Sequence, residues 1–285
     1  MYGAIIGDIC GSVYKPNNFK TYNPSEILIP NPRGFFTSNT VLTCVVIDAL
    51  LSERNYKEAL YRDNGAAAQV SPVGWAFDTI EETLTEAKRF AEITHNHPEG
   101  IKSAQATAAA VFLARNKERK DTIKKYIEDT FGYNLHRTLK DIRPQYALDE
   151  SCQGAAPEAI IAFLESDDYT GAIQYAISLC GDSTTLACIA GGIAEAYYSQ
   201  IPDELLEYAN NILPAKMKEL LKKFYDKETV ESELIHVSME EKNGAIFRYL
   251  WSRRSPPPSI LSQEEINKLL DAINSGDVGE EETVP

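Results

Sequence analysis

Apolar residues recur at helical spacing along most of the chain, and strand-like alternation is nearly absent. Over residues 79–93, Ile80, Leu84, Ala87 and Ala91 share one side with charged residues between them, as in an amphipathic helix. Further helices are predicted over 41–52, 101–114, 121–131, 157–164, 169–179, 185–198, 203–213 and 215–225. The sequence therefore predicts an all-α bundle of many short helices.

Two helix starts carry local signals. Asp121 is expected to be an acidic N-cap. Pro157 is expected at the first helical position, where the missing N–H of proline costs nothing. The alanine-rich helix at 101–114 is expected to be buried on several sides.

The composition changes after Tyr225, and three prolines at 256–258 predict a stiff, extended spacer. Ser262 and Glu265 beyond it match a capping box, and Leu261 and Ile266 a hydrophobic staple. An apolar stripe follows, made of Ile266, Leu269, Leu270 and Ile273, and Gly276 is a natural stop. We expect a helical domain over 1–225, a linker over 226–259, an amphipathic docking helix over 260–276 and an acidic disordered tail over 277–285.

This last predicted helix must pack on something, because a helix of about four turns is marginal alone in water. It could pack on its own domain or on a second copy of the chain. Alternatively, it could dock into a groove of another protein.

Charge and cysteine content narrow the classes of function. The formal net charge is -14 and the sequence pI is about 4.8, so nucleic-acid or anionic-membrane binding is not expected. The cysteines are odd in number, without a C-x-x-C pair, which favours reduced thiols. With no signal peptide or membrane-spanning stretch evident, we expect a cytoplasmic protein.

Three stretches rich in small and polar residues are candidates for one site. They are Gly3–Tyr14, Phe36–Thr40 and Gly181–Thr185. The last two open helices and could converge across the bundle, where enough carboxylates would hold a hard divalent cation. Alternatively, Ser38 and Asp182 are ordinary N-caps.

These stretches, together with Val70–Phe77, Thr94–Gly100, Ser151–Gly154 and Ile177–Asp182, resemble the ADP-ribosylglycohydrolase family over residues 1–225. The resemblance implies an orthogonal helical bundle around two Mg²⁺ ions. It also implies cleavage of ADP-ribose from modified side chains or related conjugates. The implied substrate-binding residues are His95, Asn64, Gly65, Gly74, Gln153 and Gly154.

The chain departs from the family pattern at the implied metal ligands. The Thr-Asp-Asp triplet is Thr37-Ser38-Asn39, and the Asp-x-Asp-Thr motif is Asp182-Ser183-Thr184-Thr185. A gating Glu of the first loop is Lys15. The family's Arg-ending segment is Ala66–Gln69, its Ser after Gln-Gly is Ala155, and a segment around Tyr61–Asp63 is missing.

These departures bear on the expected Mg²⁺ site. Two Mg²⁺ ions need several carboxylates, and only Asp182 remains at the expected positions, so metal binding should be weak or absent. Asp8 is expected to anchor the backbone of a Gly-rich turn. Lys15 is hypothesised to occupy the vacated cation volume and to pair with Asp182.

The segment 260–276 carries a second resemblance, to the N-terminal peptide of the flagellar motor switch protein, in its Leu-Ser-Gln-Glu-Glu-Ile and Leu-Leu spacing. That peptide binds a phosphorylated response regulator, which implies a similar partner here.

Together, the altered metal ligands and the second resemblance predict a catalytically impaired member of the family that acts as a binding or adaptor module. The alternatives are an active hydrolase with reduced or altered metal dependence and an ADP-ribose sensor without turnover.

Overall fold

A computed structural model describes residues 1–52, 66–94, 96–146, 152–226 and 263–275, and within these ranges the secondary structure is helical, without strands. The α-helices are α1 (Tyr2–Ser12), α2 (Ser38–Ser52), α3 (Ala66–Gln69), α4 (Ser71–Ala76), α5 (Ile80–Thr94), α6 (Pro98–Arg115), α7 (Lys120–Phe131), α8 (Leu139–Ile142), α9 (Cys152–Glu165), α10 (Tyr169–Ser178), α11 (Ser183–Tyr198), α12 (Asp203–Ile212), α13 (215–226) and α14 (Gln263–Ser275). The prediction of an all-α fold is confirmed.

The two central helices, α1 and α11, approach each other closely through glycine. A Cβ atom added to Gly7 would lie 2.0 Å from the carbonyl oxygen of Ala187, and one added to Gly11 would lie 2.3 Å from that of Ser183. Only glycine permits such a backbone approach. The segment Gly3–Ser12 is therefore a packed helix and not the Gly-rich turn that the sequence suggested, since its glycines serve helix packing.

The rest of the bundle surrounds this pair. Helix α11 also packs on α6, α9 and α10, and α5 covers α6. Many alanines of α6 are fully buried, which confirms the expectation for 101–114. Small side chains allow α6 to contact several helices at once.

Two predicted helix starts are wrong. Pro157 lies inside α9, which begins at Cys152. Residues 152–156 are already helical before it, so the proline lies inside the helix rather than at its first position. Arg119, and not Asp121, is the N-cap of α7, and it makes no side-chain capping bond; Asp121 lies in the first turn, where a carboxylate favours the helix dipole.

The C-terminal helix α14 packs on α2 of the same chain. Ile266 is 3% exposed, and Leu270 is partly buried against the core. Glu265 forms an ion pair with Lys216 of α13. Of the alternatives for this helix, packing on its own domain is the arrangement in the structure. Ser262, Leu261 and Gly276, the predicted cap, staple and stop, lie outside the described residues.

The cysteines that the structure describes are buried and free. They are Cys10, Cys44, Cys180 and Cys188, and small apolar residues are commonly buried in this way. Burial raises the pKa of Cys10 and of Cys44 to about 12, so these thiols are not reactive nucleophiles. In the described part of the chain, no helix is long and apolar enough to cross a membrane.

Candidate functional site

Asp8 is a fully buried carboxylate on α1 that holds the turn leading into α2. It accepts hydrogen bonds from the backbone N–H of Thr37 at 2.8 Å and from the Thr37 hydroxyl at 2.5 Å. The Thr40 hydroxyl donates to it at 2.6 Å, and the Thr40 N–H at 3.3 Å. Asp8 therefore has the expected anchoring role, but for a different segment. It holds a turn about thirty residues along the chain and not its own neighbours.

The chemistry of Asp8 follows from this enclosure. Burial raises its pKa above the ordinary value, while the hydrogen bonds from Thr37, Thr40 and Asn39 lower it in part. A buried carboxylate needs such donors, because an unsatisfied buried charge is very costly. Both oxygens of Asp8 are thus committed to the residues 37–40.

Asp182 is the second carboxylate of the site and the N-cap of α11. Its Oδ1 accepts from the Thr184 hydroxyl at 2.5 Å and from the Thr185 N–H at 3.2 Å. Its Oδ2 lies 2.8 Å from the Nζ of Lys15. The N-cap interpretation and the site interpretation of Asp182 therefore hold together, and the hypothesised Lys15–Asp182 pair is confirmed.

This environment determines the charge state of Asp182. Burial raises its pKa, but the hydrogen bonds from Lys15 and Thr184 and the charge of Lys15 outweigh burial, so the pKa lies below its ordinary value. Asp182 is ionised at neutral pH.

The two polar clusters meet through Asn39. Its side-chain amide lies 3.4 Å from Oδ1 of Asp8 and 3.5 Å from the hydroxyl oxygen of Thr185. Both contacts are at the long end of hydrogen-bond distances. Asp8, Asn39, Thr185, Asp182 and Lys15 form one continuous chain of contacts, which we call the polar network. These contacts show that the two helix starts converge, which was one of the two interpretations of their small polar residues.

The remaining predicted metal ligands lie beside this network. Thr184 is buried, and Ser38, the first residue of α2, is half-buried. Thr37 contacts Asp8, as described above. The structure therefore brings the residues of both motifs to one place.

The loop that carries Lys15 is attached to the start of α11 at a second point. Lys15 begins a 3₁₀ turn, Lys15–Asn17, and Asn18 follows in the left-handed conformation with φ 45°. The side-chain oxygen of Asn18 accepts from the N–H of Gly181 at 2.9 Å. This contact holds the loop where the ammonium of Lys15 reaches Asp182.

The predicted substrate-binding residues are only partly within the described chain. His95, Asn64 and Gly65 lie outside it, as does the side chain of Gln153. The carbonyl of Gly154 accepts a hydrogen bond from the Tyr146 hydroxyl at 2.8 Å. Gly74 faces α6, where an added Cβ would lie 2.6 Å from Cβ of Val111, so this glycine serves helix packing; its contact with a substrate stays a prediction.

The donor set of the polar network does not fit a pair of Mg²⁺ ions. Such ions need several carboxylate oxygens, and within the described residues no three His, Cys, Asp or Glu side chains lie close enough to hold a metal. Asp8 is enclosed by its donors, and Asp182 faces an ammonium group. The sequence predicted a local anchoring role for Asp8, within one of the three candidate stretches, but not its contacts with residues 37–40. The available signal was a charged residue within an otherwise apolar helix.

Comparison with known proteins identifies a family and related proteins. The sequence model of the ADP-ribosylglycohydrolase family matches residues 54–233. The chain is 29% identical over 182 residues to ADP-ribosylhydrolase ARH3 of Gallus gallus, covering 48% of this chain and 50% of that protein. The chain thus spans about half the length of this curated relative.

A solved structure titled "ADP-ribosylglycohydrolase-related protein complex" has a similar fold, with a TM-score of 0.58 at 21% identity, covering 79% of this chain and 95% of that one. The helical fold and the family match together indicate an all-α, hydrolase-like protein. Since the family match covers more than half of the chain, the chain belongs to the ADP-ribosylglycohydrolase family.

Proposed function

We propose that this chain is a catalytically impaired member of the family that acts as a binding or adaptor module. The observation that carries the proposal is the Lys15–Asp182 ion pair. It engages the one carboxylate that remains at the positions of the family's implied metal ligands, and it places a cation there instead.

Electrostatics supports this proposal. Ser38, Asn39 and Thr184 offer hydroxyl and amide oxygens at positions where the family resemblance implies aspartates. Neutral oxygens alone offset little of the dehydration cost of Mg²⁺. A metal ion would in addition have to displace the ammonium of Lys15 and lie beside it. We therefore infer weak or absent Mg²⁺ binding, and no hydrolytic step through a metal.

The ligand in this proposal is ADP-ribose or an ADP-ribosyl conjugate, the substrate class of the family. A protein that binds it without turnover would be a sensor. The second candidate function is an active hydrolase with reduced or altered metal dependence. The contacts of Asn39 with Thr185 and of Thr185 with Asp182 favour it, since part of the family's donor set is still assembled.

The proposal also assigns a partner to the C-terminal helix. Its apolar stripe and its resemblance to the N-terminal peptide of the flagellar motor switch protein support a response-regulator protein as that partner. The proposed partners include no nucleic acid and no membrane. Both the partner and the reduced cysteines agree with a cytoplasmic location. A pulldown with the full chain should lose the partner when Ile266 and Leu270 are replaced by aspartate. An unchanged set of partners would reject the adaptor role.

The impaired site is tested by restoring the missing carboxylates. The full chain should show no Mg²⁺-dependent release of ADP-ribose from a conjugate. The variant Ser38→Asp, Asn39→Asp, Thr184→Asp with Lys15→Glu should gain Mg²⁺ affinity, measured by calorimetry with the metal alone. The same variant with Lys15 retained is the matched control and should bind Mg²⁺ more weakly. Mg²⁺-dependent hydrolysis by the unmodified chain would establish the second candidate instead.

A further inference from the structure

The face of α14 that would serve as a docking surface is covered by the chain itself. Ile266 is 3% exposed and Leu270 packs against the core. Among the side chains of α14 that the structure describes, the exposed ones are polar or charged, namely Glu264, Asn267, Lys268 and Asp271. On this outer face Lys268 pairs with Glu264 at 2.7 Å. The apolar side chains described thus face the body.

The surface that receives α14 belongs to α2 and the start of α13. Helix α2 contacts α14 directly, and Lys216 of α13 pairs with Glu265 in the acidic first turn of α14. An amphipathic helix with an acidic first turn and apolar anchors four residues apart fits this surface. We call this surface, the faces of α2 and α13 that contact α14, the receiving face.

We propose that α14 is a displaceable ligand of the receiving face, so that docking in the same chain and capture by an external partner exclude each other. The external partner rests on the proposed adaptor function; the docking equilibrium does not. Both events need Ile266 and Leu270, and these side chains cannot be buried in two places at once.

Two features make the contact between α14 and the receiving face reversible. A helix of 13 residues is marginal when undocked, and the Lys216–Glu265 pair is half-exposed and therefore weak. The connection 227–262 tethers α14 to the body, which gives a high effective concentration without making the contact permanent. The apparent affinity for a partner is then reduced by the fraction of chains with α14 docked.

The test uses the full chain and a fluorescent peptide with the sequence of residues 263–275. In the double variant Ile266→Asp/Leu270→Asp, the chain's own helix should leave the receiving face. The peptide should then bind this variant on the order of tenfold more tightly than the unmodified chain, by removal of the tethered competitor. Asp271→Asn, on the exposed face, is the matched control and should bind the peptide as the unmodified chain does. Fluorescence anisotropy measures all three.

A second measurement tests the ion pair and separates docking in one chain from exchange between two copies. Amide hydrogen exchange of 263–275 should be faster in Glu265→Lys and restored in Lys216→Glu/Glu265→Lys. Protection in the unmodified chain should not depend on protein concentration. Equal peptide binding by the unmodified chain and the double variant, or protection that rises with concentration, would overturn the proposal. Neither readout involves ADP-ribose or an external partner, so failure here is distinct from failure of the proposed function.

Discussion

Replacing Lys15 by methionine removes the ammonium from the polar network and keeps most of the side-chain length. Asp182 then loses its cationic partner, while the hydrogen bonds from Thr184 and from the Thr185 N–H remain. Because burial already opposes ionisation of Asp182, we expect its pKa to rise in the variant. The variant thus changes the pH dependence of stability as well as its value at neutral pH.

The expected loss of stability in Lys15→Met is limited by the solvent exposure of the two paired side chains. The Lys15 side chain is 39% exposed and that of Asp182 is 13% exposed, so solvent screens the pair. We expect a loss of about 1 kcal/mol in the free energy of unfolding at pH 7, the upper range for exposed pairs. The lowered pKa of Asp182 determines the direction in which the free energy of unfolding changes with pH. Its contribution is present above the unfolded pKa of about 3.9 and is lost as pH falls through the lower folded value.

Urea unfolding between pH 7 and pH 3 measures both effects. The unmodified chain should lose this contribution on acidification, and Lys15→Met should show a smaller acid-dependent loss. Lys20→Met is the control, because the ammonium of Lys20 contacts the carbonyl oxygen of Tyr146 and not a carboxylate. Identical stability and identical pH profiles for Lys15→Met and the unmodified chain would refute the role of the ion pair.

Two further substitutions test the contacts that hold the polar network in place. Asp8→Asn should cost about 2–4 kcal/mol in thermal unfolding, because the amide would leave buried donors of Thr37 and Thr40 unpaired; a loss under about 0.5 kcal/mol would contradict the anchoring role. Gly7→Ala should destabilise by at least about 2 kcal/mol, because its methyl group would lie 2.0 Å from the Ala187 oxygen. A neutral result there would show that α1 and α11 can separate.

Most of the longer helices could be predicted because their apolar residues repeat at 3.6-residue spacing, but a Gly-rich turn was predicted for part of α1, and the predicted N-cap of α7 and start of α9 are wrong. The convergence of the segments 37–40 and 182–185 was one of two interpretations of their small polar residues, because opening a helix does not by itself bring two segments together. Asp8 could not be placed in the same way. Its partners lie about thirty residues along the chain, and no local pattern encodes such a contact.

Pro157 and α14 show two other limits. Proline favours the first helical turn on average, but α9 already starts at Cys152, and no local signal marks that start. The apolar stripe of α14 predicts that this helix docks, yet it does not say on what. Packing on α2 depends on the surface that the rest of the chain assembles.

Calorimetric titration of the full chain with ADP-ribose, in excess Mg²⁺ and again with a chelator, tests whether the site works without Mg²⁺. If Lys15 excludes metal from Asp182, the two titrations should be the same. Equal binding in both would favour a sensor, and equal absence of binding would leave the C-terminal helix as the functional element. Binding that requires Mg²⁺ would contradict an impaired metal site, because it would mean that a metal displaces Lys15 from Asp182.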